Sequence, residues 1–528
     1  MKSIYYIIIA CFALAVSMGC SDFLDEKPKS EKSKEDFLKK PDEARAAVNT
    51  LYRSGMPDLH RVRGVFLGSH TMLGGYLSGL YDNEYKGQSV FVQYLQTLNY
   101  TPVNISDQIE DVWYICYLSI SRANYIIQYI DRVEGLGDAE KQELVAQAKF
   151  FRAASYFYLV RFFGGVPLIT ESYESMTDMF KERASVKEIY ALIEDDLKEA
   201  VRGGLNDKAF VENGFRVTKG AAEMLLADVY LHMSGYPLKE NRYADAVNSA
   251  RSIIKAGKHS LAPNGDTPEL SAYNKLRTSD NLTEYIYALE YNIQNTSNGD
   301  RVKMALPAAA SSWGIFKAGT TCNSYAPTGA LLNLFDKTND LRVQEKQYIY
   351  TSYSWEANGE TVTKTFDPAP YFFFDEEALL SNGISPKDIP VYRYAETLLI
   401  AAEAIAESEG VTDEAVDYLT QVRSRAYTQI DKQEIKTALK SLSKEAFIQE
   451  VWNERIRELL FECRTWTDIQ RTRKYPVASG NGTGNVNYID VIGAVNPWGG
   501  TYEEKHLLFP IPHYEKQRNP NLVQNPGY

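Results

Sequence analysis

The chain has 528 residues, a mass of 59.7 kDa and a formal net charge of −12. Hydrophobic residues make up 44% and charged residues 24%, which is typical of a globular chain and not of a disordered one. The acidic balance disfavours nucleic acid as a partner, because polyanions are repelled. With only six His and five Cys, the chain has few residues that could bind a metal or act as reactive thiols. Its 37 Tyr are an unusually high number. Tyrosine offers a flat apolar face and a hydroxyl, which suit wet binding surfaces.

The N-terminal residues predict where in the cell the protein is located. Residues 4–16 form an apolar run that suits a signal peptide and is too short for a stable membrane span. Small residues directly precede Cys20, and this arrangement resembles the bacterial lipobox, where the thiol receives a diacylglycerol. We therefore predict a signal peptide over residues 1–19 and a lipidated, flexible tether over residues 20–40. The alternative is ordinary secretion, which would leave Cys20 as a free thiol.

The predicted anchor is a lipid and not a membrane span. Two or three acyl chains hold a protein firmly to a bilayer, where one chain binds only marginally. No later stretch reaches 18 apolar residues. The acidic residues that follow Cys20 resemble the export signal of surface lipoproteins in some Gram-negative bacteria.

Three cysteines, Cys116, Cys322 and Cys463, remain in the mature chain. They are odd in number and have no CxxC spacing, so at most one disulfide is possible and a zinc site is disfavoured. We expect all three to be buried, inert thiols.

The body of the chain, residues 41–528, is predicted to be a single domain that is mainly all-α. Apolar residues recur at helical spacing, and capping residues and glycines mark the helix ends. The predicted helices run from Asp138 to Gly164, from a capping box at Ser185 to Gly203, from near Thr218 to Gly235, from about Arg242 to Ala256, from about Ala395 to Gly410, from Thr412 to about Tyr427, and onward from a cap at Ser443.

Two of these helix pairs look alike. Residues 227–250 and 402–422 both carry small residues where two helices cross, a Gly that ends the first helix and an Ala that opens the second. This pattern resembles tetratricopeptide repeats, which stack into a superhelical scaffold. We place such pairs within about residues 42–256 and 390–470.

Two regions break the helical pattern, at about residues 60–105 and 260–375. They are rich in Gly, Tyr, Asn and Pro, with short β-prone pieces. Loops of this length on a rigid scaffold usually carry function, so these regions form the predicted irregular, ligand-binding half.

Motifs of catalysis are missing from the sequence. It has no Walker A, HExxH, GxSxG, paired CxxC or dinucleotide fingerprint. His506 and His513 are separated by prolines, and the acidic run 336–340 lacks the Gly and Glu of a calcium loop. We therefore predict no enzyme activity, no cofactor and no metal.

Several segments together resemble the SusD/RagB family of surface lipoproteins. Any one of them is weak evidence, but all occur in order from the lipobox to the last residue. They are CSDFLDEKP at 20–28, RFFGGVPLIT at 161–170, VTKGAA at 217–222, PVYRYAE at 390–396, NERIREL at 453–459, RTWTD at 464–468, FPIP at 509–512 and NPNLVQNPGY at 519–528. One departure is Cys463, which stands where the family usually has Gly.

The resemblance implies tetratricopeptide-like units packed against an irregular half that faces the ligand. It also implies a non-catalytic role in binding glycan or another nutrient at the outer membrane, on the cell surface. The implied partners are an oligosaccharide and a SusC-like TonB-dependent β-barrel transporter, over which the lipoprotein sits as a lid.

Most family motifs look structural. Arg393 and Glu396 are three residues apart and could pair on a helix face. Glu454, Arg455 and Glu458 are expected to form partly buried ion pairs. The proline-rich C-terminus suits an extended strap over the helices.

Ligand contacts must then come from the irregular regions. Sugars present flat C–H faces and many hydroxyls, so a binding site needs aromatic platforms with a polar rim. The candidate platforms are Tyr81, Trp313 and Tyr325, and the candidate rim residues are Asp82, Asn83 and Asn323. For each residue the alternative is that it merely packs a loop. Trp113 and Trp466 lie in helical motifs and are expected in the core.

Three other functions stay open at this point. The protein could bind peptide or another nutrient with the same lid mechanics, it could be a tetratricopeptide scaffold that binds no ligand, or it could be a hydrolase.

Overall fold

Helices dominate the computed structural model, which describes residues 37–173, 179–292, 294 and 299–528. The predicted signal peptide, the lipidation site Cys20 and most of the tether lie outside these residues. The described helices are α1 (Pro41–Asn49), α2 (Met56–His60), α3 (Leu73–Leu77), α4 (Val90–Gln96), α5 (Ser106–Tyr129), α6 (Asp138–Phe163), α7 (Val186–Arg202), α8 (Lys219–Ser234), α9 (Tyr243–Ala256), α10 (Ala272–Thr278), α11 (Gly329–Leu332), α12 (Glu376–Ser381), α13 (Tyr394–Glu409), α14 (Asp413–Ala426), α15 (Lys432–Lys440), α16 (Lys444–Glu458), α17 (Thr465–Thr472) and α18 (His513–Arg518). The predicted all-α class is confirmed.

The strands of the described residues are short and pair two by two, always antiparallel. They are β1 (Tyr81–Asp82), β2 (Tyr285–Leu289), β3 (Ala326–Pro327), β4 (Ile349–Ala357), β5 (Glu360–Pro370), β6 (Ile389–Arg393), β7 (Lys474–Ala478) and β8 (Val486–Asp490). The pairs are β1 with β3, β2 with β6, β4 with β5 and β7 with β8.

The helices of the repeats begin and end where the sequence signals predicted. Ser185 forms the capping box of α7, since its hydroxyl accepts from the Glu188 amide while the Glu188 carboxylate accepts from the Ser185 amide. Thr412 caps α14 in the same way, through its hydroxyl. Gly257 ends α9 in the left-handed conformation that a glycine adopts without steric cost. Local backbone chemistry therefore sets these boundaries.

The repeat helices form one continuous stack. Helices α5 to α9 each pack on the next, α9 packs on α13, and α13 packs on both α14 and α16. The chain between α9 and α13 is the irregular half, so it leaves the stack and returns without interrupting it. None of the described helices has the length and apolarity needed to cross a bilayer.

The structure differs from the predicted layout in two details. Leu38 is fully buried and the Phe37 ring stacks on Tyr125 at 6.0 Å, so the packed body begins before residue 41. Both side chains are apolar and pack on the core. The predicted irregular region 60–105 also contains the short helices α3 and α4.

A cluster of fully buried charges joins the irregular half to the stack. We call it the buried arginine–carboxylate network; its members are Arg342, Arg393, Arg425, Glu284, Glu454, Glu458 and Glu462. Arg393 pairs with Glu284 at 2.6 Å and with Glu458 at 3.0 Å. Arg425 reaches the same two carboxylates at 2.7 and 2.6 Å. Such shared, charge-assisted hydrogen bonds satisfy groups that burial would otherwise penalise heavily.

The pairing expected between Arg393 and Glu396 is wrong. Glu396 lies at the start of α13 and pairs instead with Arg455 at 3.3 Å and Arg464 at 3.1 Å. Arg393 stands just before the helix, in β6, so its side chain points to the network and not along the helix face. The expected ion pairs of Glu454, Arg455 and Glu458 are present, and they are fully buried.

The network predicts how stability depends on pH. Burial alone would raise the pKa of Glu284, but the guanidiniums of Arg425 and Arg393 outweigh it and hold the pKa at about 2. Because the folded pKa is lower than the ordinary glutamate value of 4.5, the charged carboxylate stabilises the fold above pH 4.5. We expect Glu284→Gln to be less stable than the wild type at neutral pH. The difference in the free energy of unfolding, measured in urea, should disappear as the pH falls towards about 2.

Asp388 serves as a control, because its contribution to stability depends on pH in the opposite direction. Burial, with the nearby charge of Asp280, raises its pKa to about 7. A raised carboxyl pKa contributes stability at low pH that is lost as the pH rises through 7. The free energy of unfolding of Asp388→Asn should therefore rise relative to that of the wild type between about pH 4 and 8. If the difference in stability between Glu284→Gln and the wild type does not change with pH, this account is contradicted.

Candidate functional site

A wide cleft opens in the irregular half, with a volume of about 1600 Å³. We call it the aromatic cleft. Its walls come from the β4–β5 hairpin, the loops around residues 307–330, the end of β1 and the loop at 497–498. Small-molecule pockets usually measure roughly 300–1,000 Å³, so this cleft has room for an extended ligand of several units.

The first wall is a projecting hairpin. Asn358 and Gly359 turn it with positive φ angles of 53° and 81°, the combination that a tight two-residue hairpin turn requires. Register pairs Trp355 with Val362, and both side chains line the cleft. The Trp355 ring stacks on the half-buried Trp313 at 5.5 Å and 17°. The hairpin therefore presents a broad, flat aromatic surface.

A second wall of the cleft carries Trp498. Its indole nitrogen donates to the Gly79 carbonyl at 3.1 Å, and its backbone nitrogen donates to the Asn496 side chain at 3.0 Å. The Lys86 ammonium lies 3.9 Å from the ring centroid. These contacts fix the orientation of a ring that remains partly exposed.

Polar groups with fixed positions also line the cleft. Asp82 pairs with Lys86 at 3.0 Å and accepts from Gln96 at 2.9 Å. Glu84 accepts from the backbone nitrogens of Ala308 at 2.7 Å and Asn323 at 3.1 Å. The Asn323 amide nitrogen donates to the Pro368 carbonyl at 3.0 Å, while its side-chain oxygen has no partner among the described residues.

Three of the six predicted residues, Asp82, Trp313 and Asn323, line this cleft together. The other three, Tyr81, Asn83 and Tyr325, do not, because each is buried in the wall behind it. The sequence predicted residues in the segments that form this cleft, but it could not tell which of their side chains face outward.

Strand geometry explains why Tyr81 and Tyr325 are not platforms. Successive side chains of a strand point to opposite sides, so Asp82 faces the cleft and Tyr81 faces the core. There Tyr81 stacks face to face on Tyr325 at 4.1 Å and 9°, and its hydroxyl donates to the Leu460 carbonyl. Each ring covers the other, so neither offers a face to a sugar. Their role is to join the early and middle loops beneath the cleft.

Asn83 is also a structural residue. Its amide nitrogen donates to the Phe66 carbonyl at 2.8 Å, and its side-chain oxygen accepts from the Tyr85 backbone at 2.9 Å. A side chain that accepts from the backbone two residues on is the usual asparagine turn. It shapes the loop and is not free to bind a ligand.

Trp355, Phe366 and Trp498 also line the cleft, although they were not among the predicted residues. The Asn358-Gly359 turn, flanked by alternating aromatics, was a readable hairpin signal that would have put Tyr353 and Trp355 on one face. Trp498 had no comparable signal, because its position depends on contacts with residues about 400 positions earlier in the chain.

The described residues contain no group of three or more His, Cys, Asp and Glu side chains that could hold a metal ion. The three cysteines are free: Cys116 and Cys322 are buried, and Cys463 is partly buried. Burial raises the pKa of the Cys116 and Cys463 thiols, which makes them poor nucleophiles.

The fold and the cleft together define a helical-repeat scaffold that carries a loop-built aromatic cleft. Two family models match the chain: SusD family over residues 342–528, and a family described as starch-binding associating with outer membrane over residues 22–231. A SusD superfamily protein from Parabacteroides distasonis has 31% identity and a TM-score of 0.81, with 94% of this chain and all of that chain covered. The chain belongs to the SusD/RagB family.

Two further relatives extend this result. SusD-like protein P2 of Formosa agariphila is 27% identical over 545 residues, which is 99% of each chain. Surface glycan-binding protein A of Bacteroides thetaiotaomicron, solved with laminarihexaose, has 18% identity and a TM-score of 0.68, covering 92% of this chain and 99% of its own. At that identity the likeness shows the fold alone.

The floor of the cleft can be tested through Gly75 on α3. A methyl group added there would lie 2.0 Å from the Tyr325 hydroxyl, so Gly75→Ala must displace the stacked ring. Overpacking of this kind costs about 1–3 kcal/mol, and we expect the urea midpoint to fall accordingly. Gly87→Ala is the matched control, since a methyl group at Gly87 meets nothing within 4 Å. Equal midpoints for the two variants would contradict the described packing.

Proposed function

We propose that this protein is a surface-exposed, lipid-anchored protein that binds oligosaccharide in the aromatic cleft without altering it. In this proposal it passes the glycan to a SusC-like TonB-dependent β-barrel transporter in the outer membrane and acts as a lid on it. The observation that carries the proposal is that the stacked pair Trp313 and Trp355 lines one cleft of about 1600 Å³ together with Trp498.

The chemistry of the cleft supports a sugar as the ligand. Pyranose rings have apolar C–H faces that stack on aromatic rings, and hydroxyls that need acceptors. The cleft provides both, since its lining carries aromatic rings together with the carboxylates of Asp82 and Glu84. Stacking tolerates different sugars, whereas an unmatched buried polar group costs about 1–3 kcal/mol and sets the preference among them.

Family membership supports the other parts of the proposal. One matching family is described as starch-binding and outer-membrane associating, and a solved relative was crystallised with a laminari-oligosaccharide. The lipobox-like sequence at Cys20 supports the anchor, although it lies outside the described residues. A protein that feeds a transporter needs fast release, so dissociation constants from micromolar to millimolar, roughly −8 to −4 kcal/mol, would serve.

The ligand class can be tested by removing one ring from each wall. We expect Trp355→Ala and Trp498→Ala each to weaken binding of laminarihexaose or maltohexaose about tenfold in calorimetry, because a stacked aromatic pair contributes up to about 1.5 kcal/mol. Tyr114→Ala is the control, since this ring is 64% exposed on α5 and does not line the cleft.

The same samples test the absence of catalysis. After incubation, chromatography should return each oligosaccharide unchanged, with no new reducing ends. Binding of peptides but of no oligosaccharide would favour the nutrient alternative, and binding of neither would favour a scaffold. Turnover of the sugar would overturn the proposal.

The anchor can be tested at Cys20. Mass spectrometry of the mature protein should find Cys20 at the N-terminus, carrying acyl chains, in the outer-membrane fraction. Cys20→Ala should release the folded protein from that fraction, because no described helix could replace the lipid. Cross-linking in intact cells should capture a β-barrel transporter with the wild type, and a wild-type N-terminus without lipid would refute the anchoring.

A further inference from the structure

The charged side chains that line the aromatic cleft are mostly acidic. Its lining holds three carboxylates, Asp82, Glu84 and Asp367, against one ammonium, Lys364. The described residues of this lining include no arginine and no histidine. Arginine recognises carboxylate and sulfate groups best, because its planar guanidinium forms two parallel hydrogen bonds to them. The cleft therefore lacks the side chain that an acidic ligand usually requires.

A second lysine, Lys86, lies beside the cleft, but its charge is already balanced. Its ammonium donates to both oxygens of Asp82 at 3.0 Å. The two charges cancel at short range, so this lysine is not available to a ligand carboxylate. The charges that remain in the cleft are Glu84 and Asp367 against Lys364.

Glu84 holds its charge at a fixed position. One of its carboxylate oxygens accepts from two backbone amides, that of Ala308 at 2.7 Å and that of Asn323 at 3.1 Å. The Glu84 amide donates back to the Asn323 carbonyl at 3.0 Å. Among the described residues no side chain donates to the other oxygen, and no lysine or arginine pairs with this carboxylate. A charged acceptor of this kind suits a hydroxyl or an ammonium and repels another carboxylate.

Asp367 and Lys364 lie on β5, and both are exposed. Neither forms an ion pair with another residue of the described part of the chain. Exposed charges of this kind are screened by salt, so each changes an affinity by a small factor. Added to the fixed charge of Glu84, they leave the cleft with an excess of negative charge that a ligand meets as a bias against anions.

We propose that the aromatic cleft selects glycans by charge: it binds neutral and amino-sugar oligosaccharides and rejects those built from uronic acids or sulfated sugars. Glu84 and Asp367 set this selection. The proposal rests on the oligosaccharide-binding function proposed above and names the class of sugar that this function takes. An acidic sugar loses water from its charged groups without gaining a guanidinium in return, whereas an ammonium gains the free oxygen of Glu84.

Three forms of one oligosaccharide test the selection on the purified full-length protein. Laminarihexaose and maltohexaose are each compared with derivatives that differ only at C6, which carries a carboxylate in one form and an amino group in the other. At neutral pH and low salt we expect the acid form to bind about tenfold more weakly than its neutral parent in calorimetry, and the amino form about threefold more tightly. Both differences should shrink in 1 M salt, where the screening length falls to about 3 Å.

Variants locate the origin of the preference. Glu84→Gln should narrow the difference between the acid and amino forms, since a glutamine oxygen still accepts from Ala308 and Asn323 while the charge is lost. Asp367→Lys should improve binding of the acid form about tenfold, because it replaces a negative charge with a positive one. Glu434→Gln is the matched control, since Glu434 is exposed on α15 and does not line the cleft, and its affinity ratios should equal those of the wild type.

The outcomes separate this proposal from the one on which it rests. If a neutral parent binds and its acid form binds as tightly or more tightly, selection by charge is overturned while oligosaccharide binding stands. If no form of either oligosaccharide binds, the proposed function fails and the selection fails with it. If Glu84→Gln does not fold, Asp367→Lys decides, because this exposed side chain makes no hydrogen bond among the described residues, and unchanged ratios in that variant would overturn the proposal.

Discussion

The arrangement of the two halves depends on the buried arginine–carboxylate network. Glu458, at the end of α16, accepts from Arg342 of the irregular half, Arg393 of β6 and Arg425 of α14. Loss of any one arginine would leave a carboxylate buried without its full complement of donors, a penalty of several kcal/mol. Apolar packing tolerates small slips, whereas bidentate ion pairs do not. The network therefore fixes where Arg342 and Glu284 of the irregular half meet α16 and α14.

The excess of tyrosine has a structural explanation that composition did not reveal. Many of these rings are buried, and their hydroxyls donate to backbone carbonyls far away in the chain. Tyr348 donates to Glu458 at 3.0 Å, Tyr475 to Ser78 at 2.8 Å and Tyr502 to Leu77 at 2.8 Å. Irregular segments leave carbonyls that no helix or sheet satisfies, and a buried unpaired carbonyl is costly. Tyrosine fills the space and supplies the donor together, so its abundance reflects the loops' need for partners more than a wet binding surface.

How much the sequence predicts depends on the range of the interactions. Helix ends such as Ser185 and Gly257 are set by residues within one turn, so they could be read directly. The pairing of Tyr81 with Pro327 joins segments about 250 residues apart, and nothing local encodes it. Consequently Asp82 and Trp313 were recognised as surface candidates by residue type, but the direction of Tyr81 and Tyr325 could not be. The same reason hid Trp498, which is placed by Gly79 and Lys86.

The residues that line the cleft are separate from the residues that form the buried network. The rings of the cleft belong to a hairpin turned at Asn358-Gly359 and to the loop at Trp498, and neither takes part in the buried network. A substitution on the hairpin changes the surface that a ligand meets while the ion pairs behind it stay intact, because sites that share no partners act nearly independently. Rings that line the cleft can therefore be exchanged with little effect on the buried ion pairs. The rings beneath it, Tyr81 and Tyr325, cannot, since they tie the loops to each other.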